Sequence, residues 1–176
     1  MINMGALDDQ AGDYMLYQSS IGDILIRAEE EAIIGLHFLT GAERTDILEC
    51  EIEPSILGEA SAQLDEYFAG NTRYLSIPLH VGGTTFLREV WNALMNIPYG
   101  QTRTYGEVAA SIGRPKAARA VGMACNRNPI SLFIPCHRVV GATGNLVGFR
   151  GGIHIKERLL ALEAENKEQV KTPKKK

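Results

Sequence analysis

Cysteine is scarce in this 176-residue chain. Cys50, Cys125 and Cys136 are an odd number, with no CxxC and no histidine at the spacing of a structural zinc site. We therefore expect neither a disulfide framework nor a bound metal. No apolar run approaches the roughly 18 residues of a membrane span. Residues 1–13 are acidic and lack the apolar core of a signal peptide. The expectation is a cytoplasmic protein without membrane contact, in a reducing compartment that keeps a reactive thiol available. A large net charge is also missing. At −3, with 45% apolar and 22% charged residues, the composition excludes a disordered or fibrous chain and suffices for one or two small domains with real cores.

That small net charge conceals two unlike halves. Residues 1–85 hold 15 acids against Arg27, Arg44 and Arg73, a balance of −12. Residues 86–176 hold 15 lysines and arginines against 6 acids, a balance of +9, and still +5 without the four lysines of the tail. Any polyanion-facing surface belongs to the second half, and the acidic half reads as scaffold whose charge limits indiscriminate DNA binding without touching the chemistry.

Residues 14–19, 22–28 and 32–39 cluster β-branched and aromatic residues between turn signals and predict a β-meander. Pro54-Ser55 then opens a helix whose Ile56, Leu57, Ala60, Leu64, Tyr67 and Phe68 form one apolar stripe ending at Gly70. Residues 74–79 predict a returning strand, and Gly82-Gly83 a linker where the charge reverses. Beyond it, Thr84 or Thr85 caps a helix carrying Phe86, Leu87, Val90, Trp91, Leu94 and Met95. Two short helices follow, at 105–112 and 116–124, joined by Gly113-Arg114, with Pro115 at the first helical position of the second. In a basic region this reads either as a helix-turn-helix or as an ordinary αα-hairpin. Ile155, Leu159, Leu160 and Leu162 line a final helix, and residues 171–176 are a solvated basic tail.

The chemistry concentrates in Ile134-Pro135-Cys136-His137-Arg138-Val139-Val140, an apolar run expected to be a buried strand or turn. Cationic neighbours lower a thiol pKa, which makes Cys136 the nucleophile candidate. Packing is the competing reading, because residues adjacent in a strand point to opposite faces.

The surrounding residues carry a family pattern. Pro115-Lys116-Ala117-Ala118-Arg119-Ala120-Val121-Gly122, Asn128-Pro129-Ile130, the Pro135-Cys136-His137-Arg138-Val139 segment, Gly148-Phe149-Arg150-Gly151-Gly152 and residues 156–163 strongly resemble the O6-alkylguanine-DNA alkyltransferases. The likeness spans about residues 14–165. It implies an α+β protein: an RNase H-like α/β domain at 1–81, a mostly helical DNA-binding and alkyl-acceptor domain with a helix-turn-helix at 82–165, and a flexible tail at 166–176. It implies direct, single-use transfer of the alkyl group from guanine O6, or thymine O4, in double-stranded DNA to Cys136. No cofactor is consumed. His137 would deprotonate Cys136 through a water, and Glu163 would orient His137, the logic of a triad. By the same resemblance Tyr105 assists the departing guanine and Asn128 ties the helix pair to the active segment. Backbone groups of Cys136, Val139 and Arg150 would line the base pocket, with Phe149 standing where relatives often have tyrosine. Arg119 would fill the gap left by a flipped nucleotide, and Tyr105, Gly106, Arg114 and Lys116 would contact DNA. Some relatives hold zinc through cysteines and histidines. Here His37 and His80 have no cysteine pair before Cys50, so none is expected. Cys125 lies near the pocket by the same alignment and reads as a small apolar helix residue. A monomer is expected, with cooperativity along DNA left open.

One feature of the second short helix stands apart from the resemblance. Around Arg119 it offers Ala117, Ala118, Ala120, Gly122 and Ala124, almost nothing with which to read base edges. Small side chains suit close approach to the degenerate minor groove, so binding should vary little with flanking sequence and fall steeply with salt. The competing classes are a non-catalytic damage-binding module, a Cys-His hydrolase and a transcription factor. An intact Cys136 opposes the first, the helix pair with Arg119 opposes the second, and a helix poor in base-reading side chains opposes the third.

Overall fold

Residues 12–39 and 56–169 are described by the computed structural model. Cys50, residues 41–54, the helix opening at Pro54-Ser55 and the basic tail at 171–176 lie outside the described residues. Strands β1 (Asp13–Ser19), β2 (Gly22–Glu29) and β3 (Ala32–Phe38) form the expected antiparallel meander in the order β1-β2-β3. Its first turn is tight because Gly22 takes a φ of 147°, open in practice only to glycine, and the Ser19 hydroxyl accepts from the Ile21 amide. Ile24, Ile26 and Ala28 of the central strand point to one buried face. Helix α1 (Ile56–Phe68) packs its Leu57, Ala60, Leu64 and Tyr67 stripe against the sheet and ends at Gly70, whose φ is 76°.

The strand expected at 74–79 does not form. Only Leu79 bridges to Ile33, through the Ile33 amide to the Pro78 carbonyl and the His80 amide to the Ile33 carbonyl. Pro78 has no N–H with which to extend a ladder. Upstream, the Gln63 side-chain amide takes the neighbour's part, donating to the Ser76 carbonyl and accepting from the Ser76 amide at 2.7 and 2.8 Å.

In the second half α2 (Thr85–Met95) is capped by the Thr84 hydroxyl and buries Val90, Trp91 and Leu94. Met95, expected in the stripe, is exposed. Strand β4 (Arg103–Thr104) pairs in parallel with β5 (Val139–Val140). Helix α3 (Tyr105–Ser111) opens on a capping box in which Thr104 and Glu107 satisfy each other's backbone amides. Gly113, at φ 72°, turns the chain into α4 (Ala118–Asn126). That helix starts two residues later than predicted. Pro115 is not its first residue, because the Ala117 amide closes a turn onto the Arg114 carbonyl before the helix begins. The α3–α4 pair packs on α2, and Trp91 Nε1 donates to the Ala124 carbonyl at 3.0 Å.

After α4 the chain reaches the free edge of β3: the Leu36 amide donates to the Pro129 carbonyl and the Ser131 amide to the Leu36 carbonyl. The segment carrying Cys136 is thereby anchored on the sheet of the acidic half. It then passes through Leu132, a bulky residue held at φ 71°, into a 3₁₀ turn at Cys136–Arg138. Helix α5 (Ile153–Gln169) closes the fold.

Candidate active site

Cys136 and His137 sit in the 3₁₀ turn, so the objection that strand neighbours face opposite ways does not apply. Both are buried. Asn128, itself 2% exposed, organises the turn from one side: its Nδ2 donates to the Cys136 Sγ at 3.1 Å and to the Ile134 carbonyl at 2.8 Å, and its Oδ1 accepts from the Ile130 amide. Every polar atom of the amide is used, which fixes its orientation.

Glu163 organises the other side. Its Oε1 accepts from His137 Nε2, Arg138 Nη2 and the Tyr67 hydroxyl, each at 2.8 Å. Its Oε2 accepts from the Gly100 amide at 2.8 Å and Arg138 Nε at 3.0 Å. Burial alone would raise this carboxyl, but the hydrogen bonds from His137 and Arg138 and the adjacent guanidinium charge outweigh it and hold it at about 2. Arg138 is further tied to the Ile97 carbonyl at 2.7 Å and lies over the Tyr99 ring.

The thiol corrects one expectation. Burial pushes Cys136 up, and the hydrogen bond from Asn128 and the charge of Lys156 offset this only in part. The neighbouring Arg138 guanidinium is spent on Glu163 rather than on the sulfur. At rest the group is a thiol that needs a base. Burial pushes His137 down despite Glu163, so its imidazole is neutral and competent to accept a proton. Its Nδ1 has no partner among the described residues.

Tyr105 opens α3 and donates its hydroxyl to the Val147 carbonyl at 3.1 Å. Burial, followed by the nearby Cys125 and Cys136 thiols, raises it to about 12, so it stays a proton donor at neutral pH. An added Cβ at Gly122 would lie 3.8 Å from the Tyr105 ring, ordinary contact that places α4 directly beside the phenol. Val139 is fully buried; its amide donates to the Cys136 carbonyl and its own carbonyl accepts from Lys156 Nζ at 2.5 Å. Phe149 packs on Phe38 of β3 with ring centroids 6.2 Å apart, and Arg150 is exposed. Gly106, Lys116 and Arg119 are exposed, and Arg119 pairs with no described residue. Arg114 is held on the surface by Glu89 at 3.0 Å and over the Phe86 ring.

Four participants were not foreseen. Arg138 and the Gly100 amide complete the carboxylate's shell. Tyr67 reaches it from α1, which corrects the view of the acidic half as uninvolved scaffold. Lys156 is fully buried and links Val139 to the Val147 carbonyl that Tyr105 also uses. A signal existed for Lys156: on α5 it shares the buried face of Leu159 and Glu163, at spacings of three and four, whereas Leu160 and Leu162 are only partly buried.

Comparison with known proteins gives two family matches. Residues 13–81 match the ribonuclease-like domain of 6-O-methylguanine DNA methyltransferase, and residues 85–165 match its DNA-binding domain. A methylated-DNA–protein-cysteine methyltransferase of Methanosarcina acetivorans is 48% identical over 151 residues, 85% of this chain and 97% of that protein. One from Mycobacterium leprae is 44% identical over 88% of this chain and 92% of its own length. Among solved structures, Mycobacterium tuberculosis OGT in complex with DNA superposes with a TM-score of 0.78 at 42% identity, covering 87% of this chain and 93% of that one.

Proposed function

The chain belongs to the 6-O-methylguanine DNA methyltransferase family, and from that premise we propose which residues do its work. It repairs DNA by moving an alkyl group onto a cysteine of its own chain. On our reading Cys136 is that cysteine. A water between Cys136 Sγ and His137 Nδ1 carries the thiol proton to the imidazole, while Glu163 holds Nε2 and stabilises the imidazolium that forms. The sulfur attacks the alkyl carbon, an S–C bond forms as the C–O6 bond breaks, and the departing guanine takes a proton from Tyr105, whose phenol is restored as the proton that His137 gained returns through solvent. The product is a thioether with no good leaving group, so each molecule acts once and needs no cofactor.

The attack requires the carbon in line with sulfur and oxygen, which a stacked base cannot offer, so the nucleotide flips out. Arg119, exposed and unpaired near the start of α4, fills the gap it leaves. The small residues of α4 let that helix approach a minor groove without reading sequence. Gly106 and Lys116 flank this surface, and Arg114 joins them by exchanging Glu89 for a phosphate. The backbones of Val139 and Arg150, with Phe149 behind them, border the base pocket. O4-alkylthymine presents its alkyl carbon to the same attack and is a second substrate, and one copy of the chain, in a cytoplasmic setting, suffices for either. Residues 1–81 and 82–165 are the two domains on this reading; of the tail expected at 166–176, residues 166–169 belong to α5.

The observation that carries the proposal is one buried turn in which Asn128 holds the Cys136 sulfur and Glu163 holds His137. Incubating the protein with a duplex carrying tritiated O6-methylguanine tests it. One methyl per protein molecule is expected, with no further turnover and none for Cys136→Ala. Tight binding without transfer would leave only a damage-binding module.

A further inference from the structure

Tyr67 lies on α1, in the acidic half, 96 residues before the carboxylate it touches. It is 1% exposed, and its ring meets Phe68 and Tyr99 edge-on at 5.4 and 5.8 Å. A buried phenol needs a partner, but the choice here is specific: Tyr67 donates to Oε1 of Glu163, the oxygen that also accepts from His137. The other donors to Glu163 come from the 3₁₀ turn and from Gly100, all in the second half. We propose that Tyr67 is a positioning residue for alkyl transfer, acting through Glu163 to orient His137 and restrain its basicity, so that the α/β half completes the acceptor's base. This rests on the reading that His137 deprotonates Cys136.

The sign follows from charge. Oε1 has two in-plane lone pairs and receives donors from three residues, Arg138 through both Nη2 and Nε. Arg138 already holds the carboxylate at two points, Nη2 on Oε1 and Nε on Oε2, and Tyr67 draws off part of the remaining negative charge on Oε1 that would otherwise act on His137. The phenol is suited to this: burial, and then the Glu163 charge, push it well above the usual tyrosine range, so it remains a donor throughout the working pH. The other charged or titratable groups around the cluster are Arg138, Tyr99, Lys156 of α5, whose charge opposes the imidazolium, and, beyond Tyr99, Arg73. None of them replaces the Tyr67 hydroxyl on Oε1 except through Arg138, already bound there.

Tyr67→Phe keeps the ring and its contacts, and Glu163 retains its other donors, so the fold persists. Single-use transfer from free O6-benzylguanine, followed across pH, reads the effect without involving DNA. Without the hydroxyl, more charge on Oε1 favours the imidazolium. The acidic limb of the rate profile should move to higher pH by about half a unit or more, and the plateau should fall about 3- to 10-fold as the ring loses its fixed orientation. A ¹⁵N-histidine NMR titration should show the same upward displacement for His137. Tyr17→Phe is the matched control: it too removes a tyrosine-to-carboxylate bond in the acidic half, to Asp65 at 2.8 Å rather than to Glu163, and should leave the limb in place. A Tyr67→Phe profile coincident with the parent, or a uniform fall with an unmoved limb, overturns the proposal while leaving Cys136 as acceptor. Persistent transfer in Cys136→Ala would instead overturn the reading beneath it.

Discussion

Replacing Glu163 by glutamine removes one negative charge from a site where Arg138, only 10% exposed at its side chain, has no other counter-charge among the described residues. Two routes estimate the cost. Leaving one member of a buried ion pair alone costs about 3–5 kcal/mol. Independently, holding the carboxyl at about 2 against its ordinary 4.5 corresponds, at ~1.36 kcal/mol per pH unit, to about 3 kcal/mol of stability at neutral pH. The folded-state value is depressed, so this contribution is complete above pH 4.5 and is lost as pH falls toward about 2. Urea unfolding at pH 7 should therefore show Glu163→Gln less stable by about 3–5 kcal/mol, a fall in Tm of roughly 6–20 °C for a chain of this size. The gap should narrow steadily below pH 4.5. A difference under about 1 kcal/mol at pH 7, or one that stays constant down to pH 3, would refute the charge-pair account.

Three further outcomes follow from the same geometry. Asn128→Ala strips the donor from Cys136 and leaves the Ile130 amide unpaired; iodoacetamide alkylation of Cys136 at neutral pH should slow, with a stability loss of about 1–3 kcal/mol by denaturant titration. Arg119→Ala should slow transfer on duplex DNA roughly tenfold or more while leaving transfer from free O6-benzylguanine near the parent rate; equal losses would remove the gap-filling role. Arg114→Ala breaks only an exposed pair and a ring contact, so unfolding should shift by no more than about 1 kcal/mol, while the salt slope of DNA binding should fall by about one.

The local elements were legible where side-chain periodicity and burial coincide. The α1 stripe of Leu57, Ala60, Leu64 and Tyr67 is such a case, as is the meander. The strand predicted at 74–79 failed because apolar content outweighed Pro78 and because a Gln63 side chain, remote in sequence, satisfies Ser76. Helix α4 began late because Pro115 can also sit in a turn, and only the Ala117 amide bond to Arg114 decides between the two. Cys136, His137, Glu163 and Asn128 could be named through family resemblance, and the fold brings all four together. Their electrostatics could not be read from adjacency. Arg138 is next to His137 in sequence yet serves Glu163, and burial raises the thiol that neighbouring cations were expected to lower. Tyr67 was hidden because it occupies a position that reads as apolar stripe, whereas the spacing of Lys156 to Leu159 and Glu163 marked it as buried; only the tertiary fold shows their polar ends meeting Glu163 and the Val139 carbonyl.

Two buried thiols lie near Tyr105, and the account assigns the alkyl group to one of them. Cys136 has the Asn128 donor on its sulfur and lies in the turn with His137, whereas burial in α4 pushes Cys125 far up. Intact-mass measurement after exposure to an O6-methylguanine duplex, followed by peptide mapping, separates them. The account predicts one added methyl, on Cys136, and none in Cys136→Ala. A methyl on Cys125, or no mass gain despite loss of the adduct from the DNA, would contradict it.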